Sequence, residues 1–466
     1  MKPRLSLTEQ VVAFILGHLI GLIFQFTIFL AMQLARVIRW ACRSPRVSVP
    51  ASFLIVVWFA VGSHAAFAIA LAATLGLLCW RQLDRDRFNR TFRIQPREVR
   101  EWSKYYNAAW TPTLMACGLD RRSADAHQIP QLRYTSIGSF THRLGVSMLP
   151  GQVPDNYREQ SAALAHAFGA QRCTIQEWGP GSILVDLTRA DPLTSPIAAL
   201  PVSERVDLES LPIGTCEDGA DWRVKLLGSH LLIAGSTGAG KGSVLWSLIR
   251  SMTPLIRDGL VEVWALDPKG GMELSFGAPL FSRFETAPAE MVEALEAAAT
   301  TMQERAIRLR GTTRQHVPTR DEPFIVVVVD ELASLTAYVT DRDLKKRAHA
   351  SLQLILSQGR AVGVSVVGAL QDPSKEVTPF RDLIPTRIAL RLAEDEQIDM
   401  VLGAGARKRG AMCDQISTAM AGTGYMTIPG TPDPIRARAA FVTDSEIIEM
   451  AAAYRPLVTR QPAAGV

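Results

Sequence analysis

The residues with chemistry to offer fall at three points: the run Gly235-Ser-Thr-Gly-Ala-Gly-Lys-Gly-Ser243, the pair Asp330-Glu331, and Gln371. In the first, Gly235, Ser236, Thr237, Gly238, Ala239, Gly240, Lys241, Gly242 and Ser243 follow a short apolar run, Leu231–Ala234, and lead into helical spacing over Val244–Arg250. Strand, glycine-rich turn and helix together make a phosphate-binding loop. Glycines let backbone N–H groups converge on phosphate oxygens without a Cβ in the way, and a helix N-terminus favours negative charge. Lys241 adds a point charge at the β- and γ-phosphates of a nucleotide. One position breaks the pattern. The residue after the lysine is ordinarily Ser or Thr, whose hydroxyl holds Mg²⁺, and here it is Gly242. Ser243 sits one step on, about 100° around a helix. The metal falls to Ser243 or to a water.

The pair Asp330-Glu331 closes Phe324–Val329, a run of β-branched and aromatic residues suited to a central parallel strand. With the strand expected beside the phosphate loop, Asp330 would hold the water shell of Mg²⁺ and Glu331 would orient and deprotonate an attacking water. ATP and Mg²⁺ are therefore the expected cofactors. Gln371 follows the strand Val362–Leu370 and is placed to sense a γ-phosphate. Arg360, Arg387 and Arg391 stand near strand ends, where each could stabilise transition-state charge on a neighbouring subunit's phosphate or simply make a surface ion pair.

These groups need a scaffold, and from Val206 onward strands and helices alternate, which predicts an α/β unit with a mainly parallel sheet. Leu260–Leu266 reads as a strand closing on Asp267-Pro-Lys-Gly-Gly271, Glu290–Leu309 and Ser351–Arg360 as helices, and Arg387–Leu392 as a further strand. Ahead of this unit the pattern predicts a small α/β adaptor module. Its strands are Gln131–Ile137, Arg143–Met148, Arg172–Trp178 and Ser182–Thr188, with a helix over Asn156–Phe168. No residue type in it suggests catalysis, so an assembly surface is its expected role.

The chain has 466 residues, 48% hydrophobic and 20% charged, which is room for two or three folded domains. A net charge of +5 permits a polyanionic partner without arguing for one. The six cysteines are scattered with no C-x-x-C pair, which excludes a disulfide framework or zinc site. Val11–Ala35 and Phe53–Leu78 are apolar runs that exceed the roughly 20 residues needed to cross a bilayer. Two spans put both termini on one side, and Lys2, Arg4 and the arginines from Arg81 to Arg93 favour the cytoplasm. The loop between them also carries arginines, from Arg36 to Arg46. The expected division is a two-span anchor at 1–100, a linker and adaptor at 101–205, and a motor at 206–466, giving a multi-pass cell-membrane protein with a cytoplasmic motor.

Taken in order, His230–Lys241, Leu266–Gly271, Val326–Glu331, Gly359–Gly363, Ala369–Pro373 and Pro434–Glu446 resemble the FtsK/SpoIIIE family of ring-shaped DNA-pumping ATPases. The resemblance implies a RecA-like P-loop motor and a homo-hexamer threading double-stranded DNA, with each site completed by the next subunit. It implies Arg360 as the finger acting in trans and Gln371 as the sensor. The Gly-Lys-Gly-Ser variant is similar to the FtsK-like transfer proteins of actinobacterial plasmids, which implies conjugative transfer with other transfer proteins as partners. The chain ends at Val466, shortly past the motor, so a winged-helix module is expected to be absent. Arg342–Arg347 and Arg407–Arg409 are the basic candidates for DNA contact or for a solvated face. The competing functions are a type VII-like protein-secretion ATPase and an ATP-binding coupling or scaffold protein with weak hydrolysis.

Overall fold

The computed structural model describes residues 109–122, 127–373 and 380–457. The two expected membrane spans, at 11–35 and 53–78, lie outside these residues. Among the described residues, no helix is long and apolar enough to cross a membrane.

After helix α1 (Trp110–Ala116) and a two-strand ladder, β1 (Arg121–Arg122) with β2 (His127–Gln128), comes the small module. Its strands β3 (Gln131–Ile137), β4 (Thr141–Ser147), β5 (Arg172–Gly179) and β6 (Ser182–Thr188) pair antiparallel in the order β3-β4-β6-β5. Leu144, Val146, Ile175, Ile183, Val185 and Leu187 alternate onto one buried face against Trp110, Tyr157, Leu164 and Phe168. The single helix expected over Asn156–Phe168 is two, α2 (Pro154–Glu159) and α3 (Ser161–Phe168), with Gln160 (φ −95°, ψ 6°) between them. Apolar spacing runs through both, so the pattern hides the break. Pro154 starts the first, since a fixed φ and no N–H suit the first helical turn. Gly169, at φ 63°, stops the second.

The larger sheet takes β7 (Ile197–Ala198), β8 (Leu211–Cys216), β9 (Asp221–Val224), β10 (Leu231–Ala234), β11 (Val261–Leu266) and β12 (Arg283–Glu285). It continues with β13 (Phe324–Val329), β14 (Val364–Leu370), β15 (Thr386–Ala389), β16 (Thr423–Ile428) and β17 (Thr431–Phe441). Strand order is β12-β11-β13-β14-β10-β15-β16-β17-β8-β9, with β7 also on β17. From β12 to β15 every pairing is parallel; from β15 to β9 every pairing is antiparallel. The expected parallel sheet is thus joined to an antiparallel extension. The helices are α4 (Lys241–Arg257), α5 (Pro288–Leu309), α6 (Ala333–Thr336), α7 (Arg342–Gln358), α8 (Asp395–Leu402) and α9 (Asp444–Ala453).

Strand β13 shows why the parallel part holds together. All six residues are buried, Phe324, Val326 and Val328 in the core that includes α4, and Ile325, Val327 and Val329 in the core that includes α5 and α7. Each such side chain contributes roughly 1.5–3 kcal/mol by leaving water. Burial on both faces removes alternation, so the strand reads as a continuous apolar run.

One expected neighbour relation is wrong. The carboxylate strand β13 does not pair with the phosphate-loop strand β10; β14 lies between them, parallel to both. All three strands are fully buried and, apart from Ser365 on β14, lack polar side chains, so burial pattern carries no information about which of them touch.

Candidate active site

Strand β10 delivers the glycine loop at its C-terminal end. Gly235 N–H donates to Leu370 O on β14 at 3.0 Å, and Ser236 N–H donates to Arg391 O at 2.9 Å, pinning the loop to both neighbouring strands' ends. Gly238 (φ 71°) and Gly240 (φ 94°) adopt left-handed backbone, which side chains with a Cβ avoid. Gly240 is doubly constrained: a Cβ there would meet Gly422 N at 2.1 Å. Gly422 N–H in turn donates to Ala239 O at 2.8 Å, so the turn before β16 braces the loop from behind. Lys241, the first residue of α4, is 9% exposed and its Nζ donates to Gly235 O at 2.8 Å. Burial pulls its pKa down, while Glu331, Asp330 and Glu273 oppose that pull.

The acids come from the next strands along. Asp330, 2% exposed, follows β13 and takes the ammonium of Lys269 at 2.7 Å. Burial is the largest single effect and works against charge on Lys269, but the bond to Asp330 together with the charges of Asp330, Glu331 and Glu273 outweighs it, and the lysine's pKa is raised. Glu331 is 5% exposed, and its Oε1 accepts from Gln371 N–H at 3.4 Å. Burial raises the pKa of Glu331; the Gln371 N–H and the charges of Lys269 and Lys241 hold it back. Gln371 also reaches the glycine loop, where Thr237 Oγ1 donates to its Oε1 at 3.3 Å. One residue therefore touches both the proposed base and the phosphate loop.

Lys241, Asp330, Glu331, Gln371 and Thr237 are thus brought to one end of the sheet, where the parallel strands finish. The arginines are distributed differently. Arg391 Nη2 donates to Thr237 O at 2.9 Å, and Arg387 Nη1 to Val401 O at 3.3 Å, so both are engaged within the chain. Arg360 is exposed and lies just before β14 begins, at the opposite end of the sheet from its own phosphate loop. Of the basic clusters, Arg347 makes a bidentate pair with Glu296 (2.8 and 2.7 Å), and Arg407 pairs with Asp414 at 2.9 Å. Arg342, Lys346 and Lys408 are exposed.

The residues that sequence reasoning missed follow β11. Asp267 is fully buried, and its carboxylate accepts N–H bonds from Lys269, Glu273 and Leu274, each at 3.0 Å. That turn carries Lys269 to Asp330 and Glu273 to the start of α4. A carboxylate ending a parallel strand was the available signal, as it was for Asp330.

The glycine cradle, its lysine and the helix start fit the phosphates of a nucleotide. Among the described residues, no three His, Cys, Asp or Glu side chains cluster as a metal cage. Mg²⁺ is typically bound through one or two carboxylates together with waters and substrate phosphates, and Asp330 beside the glycine loop suits that mode.

A profile of the FtsK/SpoIIIE family matches residues 202–414. The DNA translocase FtsK of Staphylococcus aureus (strain Mu50) is 28% identical over 241 residues, covering 47% of this chain and 29% of the relative. That of Corynebacterium glutamicum is 30% identical over 256 residues, covering 48% and 26%. The chain spans about a quarter to a third of the length of these relatives. Among solved structures, the pCW3 conjugation coupling protein TcpA in its monomer form with ATPγS is similar at 17% identity. It covers 74% of this chain and 99% of that one, with a TM-score of 0.49. The glycine loop, the acids after β13 and Gln371 all fall within the matched residues, so this part of the chain is similar to the FtsK/SpoIIIE family.

Proposed function

We propose that this chain is a membrane-anchored, ATP-driven translocase of double-stranded DNA, serving conjugative transfer alongside other transfer proteins. The observation that carries the reading is the meeting of Lys241, Asp330, Glu331 and Gln371 at one end of the sheet. It is supported by the family match and by the relatives, which are DNA translocases by name.

In this reading Gly235–Ser243 cradles the phosphates of ATP and Lys241 neutralises the terminal ones. Glu331 takes a proton from the attacking water, and its burial and raised pKa suit a base that must be basic yet ionised. Gln371, bonded to both Glu331 and Thr237, registers whether the γ-phosphate is present and passes that to the loop beyond it. Asp330, with Ser243 or a water, would hold Mg²⁺, which supplies charge neutralisation at the phosphates. Arg360 cannot serve its own site from the far end of the sheet. It is assigned to the next subunit of a homo-hexamer, where it would stabilise transition-state charge. Residues 1–100 form the two-span anchor in the cell membrane, 101–205 the linker and adaptor, and 206–466 the cytoplasmic motor.

The test is ATP turnover by the full-length chain with and without duplex DNA at two salt concentrations. Stimulation by DNA of severalfold or more, weaker at the higher salt as phosphate contacts are screened, is expected. Equal turnover with and without DNA would contradict the reading.

A further inference from the structure

We propose that Glu273 is a third carboxylate of the nucleotide site and serves the metal-facing position that Gly242 leaves bare. The inference rests on reading Gly235–Ser243 as a site for ATP with Mg²⁺. Gly242 is the second residue of α4, where the phosphate-loop pattern puts a hydroxyl. A Cβ built on it would lie 3.3 Å from Glu273 Oε2, tighter than ordinary contact. A Ser or Thr at 242 would need that carboxylate to yield by a few tenths of an ångström, so the carboxylate stands directly beside the position where the pattern puts a hydroxyl.

Glu273 is brought there by the backbone. Its N–H donates to buried Asp267 at 3.0 Å, and so does that of Leu274, whose side chain is fully buried. Gly270 (φ 71°) and Gly271 (φ 84°) make the turn possible. Among the described residues the carboxylate itself has no hydrogen-bond or ion-pair partner, yet it lies within the fields of Lys241, Lys269 and Asp330. Ser243 faces elsewhere: its Cβ is 3.6 Å from where a Cβ on Gly422 would be, against the turn that braces the glycine loop. A carboxylate is a hard oxygen donor suited to Mg²⁺ or to its coordinated water, and here it stands beside where the missing hydroxyl would have been.

The charge makes the role testable without turnover. A carboxylate beside phosphates repels a metal-free nucleotide and favours a magnesium-bound one. The measurement is binding of a fluorescent ATP analogue to the full-length chain, titrated with Mg²⁺ and repeated in EDTA, with melting temperature checked alongside. For Glu273→Gln, the Mg²⁺ concentration for half-maximal binding should rise about tenfold or more, the range seen when groups supporting a metal site are lost. Binding in EDTA should be equal or tighter, and the melting temperature unchanged. Gly242→Ser added to Glu273→Gln should recover much of the magnesium response. A Glu273→Gln chain that titrates like the wild type, while Ser243→Ala shifts the curve, would overturn the role and give it to Ser243. Equal weakening with and without magnesium would overturn it in favour of a structural part. A wild-type chain that binds the analogue no better than Lys241→Ala would overturn the nucleotide site itself, and this role with it.

Discussion

Burial and charge divide the work among single side chains at the strand ends. In its proposed role as general base Glu331 must be ionised to accept a proton, and burial raises its pKa. Turnover should therefore fall as pH drops through that raised value, with an acid limb above the ordinary glutamate range near ~4.3. Glu331→Gln should cut kcat by about 10²–10⁴, the usual contribution of a general base, while nucleotide and DNA binding persist. A kcat–pH profile with stopped-flow binding checks both, and full turnover in that variant would remove Glu331 from the base role. Asp330 and Glu331 were legible in the sequence because two acids end a run too apolar to be anything but a buried strand. Lys269 and Glu273 were not. Their partners, Asp330 and Gly242, are distant in the chain, and only the parallel packing of β11 beside β13 and the turn on Asp267 bring them together.

Elements set which end of the sheet each group occupies. The apolar runs of β10 and β13 mark those strands to the residue, whereas the order β13-β14-β10 was hidden because the three are alike in pattern. The antiparallel extension was also hidden, although it braces the glycine loop through Gly422. Arg438 on β17 steadies that turn by donating to Ala421 O at 3.0 Å, and it reaches Leu193 O at 2.8 Å from the same guanidinium. At the opposite end, His230 precedes β10, fully buried, its Nδ1 accepting from Val366 N–H at 3.0 Å. Burial first, and then the charge of Arg360, depress its pKa to about 4. Below pH 6.5 the unfolded chain gains a proton that the folded one refuses, so this contribution to stability is complete above 6.5 and lost as pH falls toward about 4. His230→Asn retains an acceptor and does not titrate. Denaturant unfolding across that window should show the wild type losing on the order of 2 kcal/mol more than the variant; parallel curves would contradict the assignment.

At the scale of the described chain, the small module is tied to the larger sheet by buried and half-buried charge. Arg436 on β17 makes a bidentate pair with Asp191 at 3.0 and 2.8 Å, and Arg172 on β5 reaches Glu217 at 3.1 Å. Such pairs are worth little net stability but fix one geometry, and removing Asp191 would strand the buried charge of Arg436. That coupling suits the proposed motor, whose strokes must be transmitted, and no residue type in the module announced it. The central claim is that loss of a nucleotide's terminal phosphate is turned into motion along duplex DNA. Displacement of a third strand from a triplex placed on linear duplex DNA, by the full-length chain with ATP, tests it most directly. The account predicts displacement that requires ATP and is abolished in Glu331→Gln although that variant still binds the DNA. A wild-type chain that binds duplex DNA and hydrolyses ATP yet never clears the triplex would contradict it.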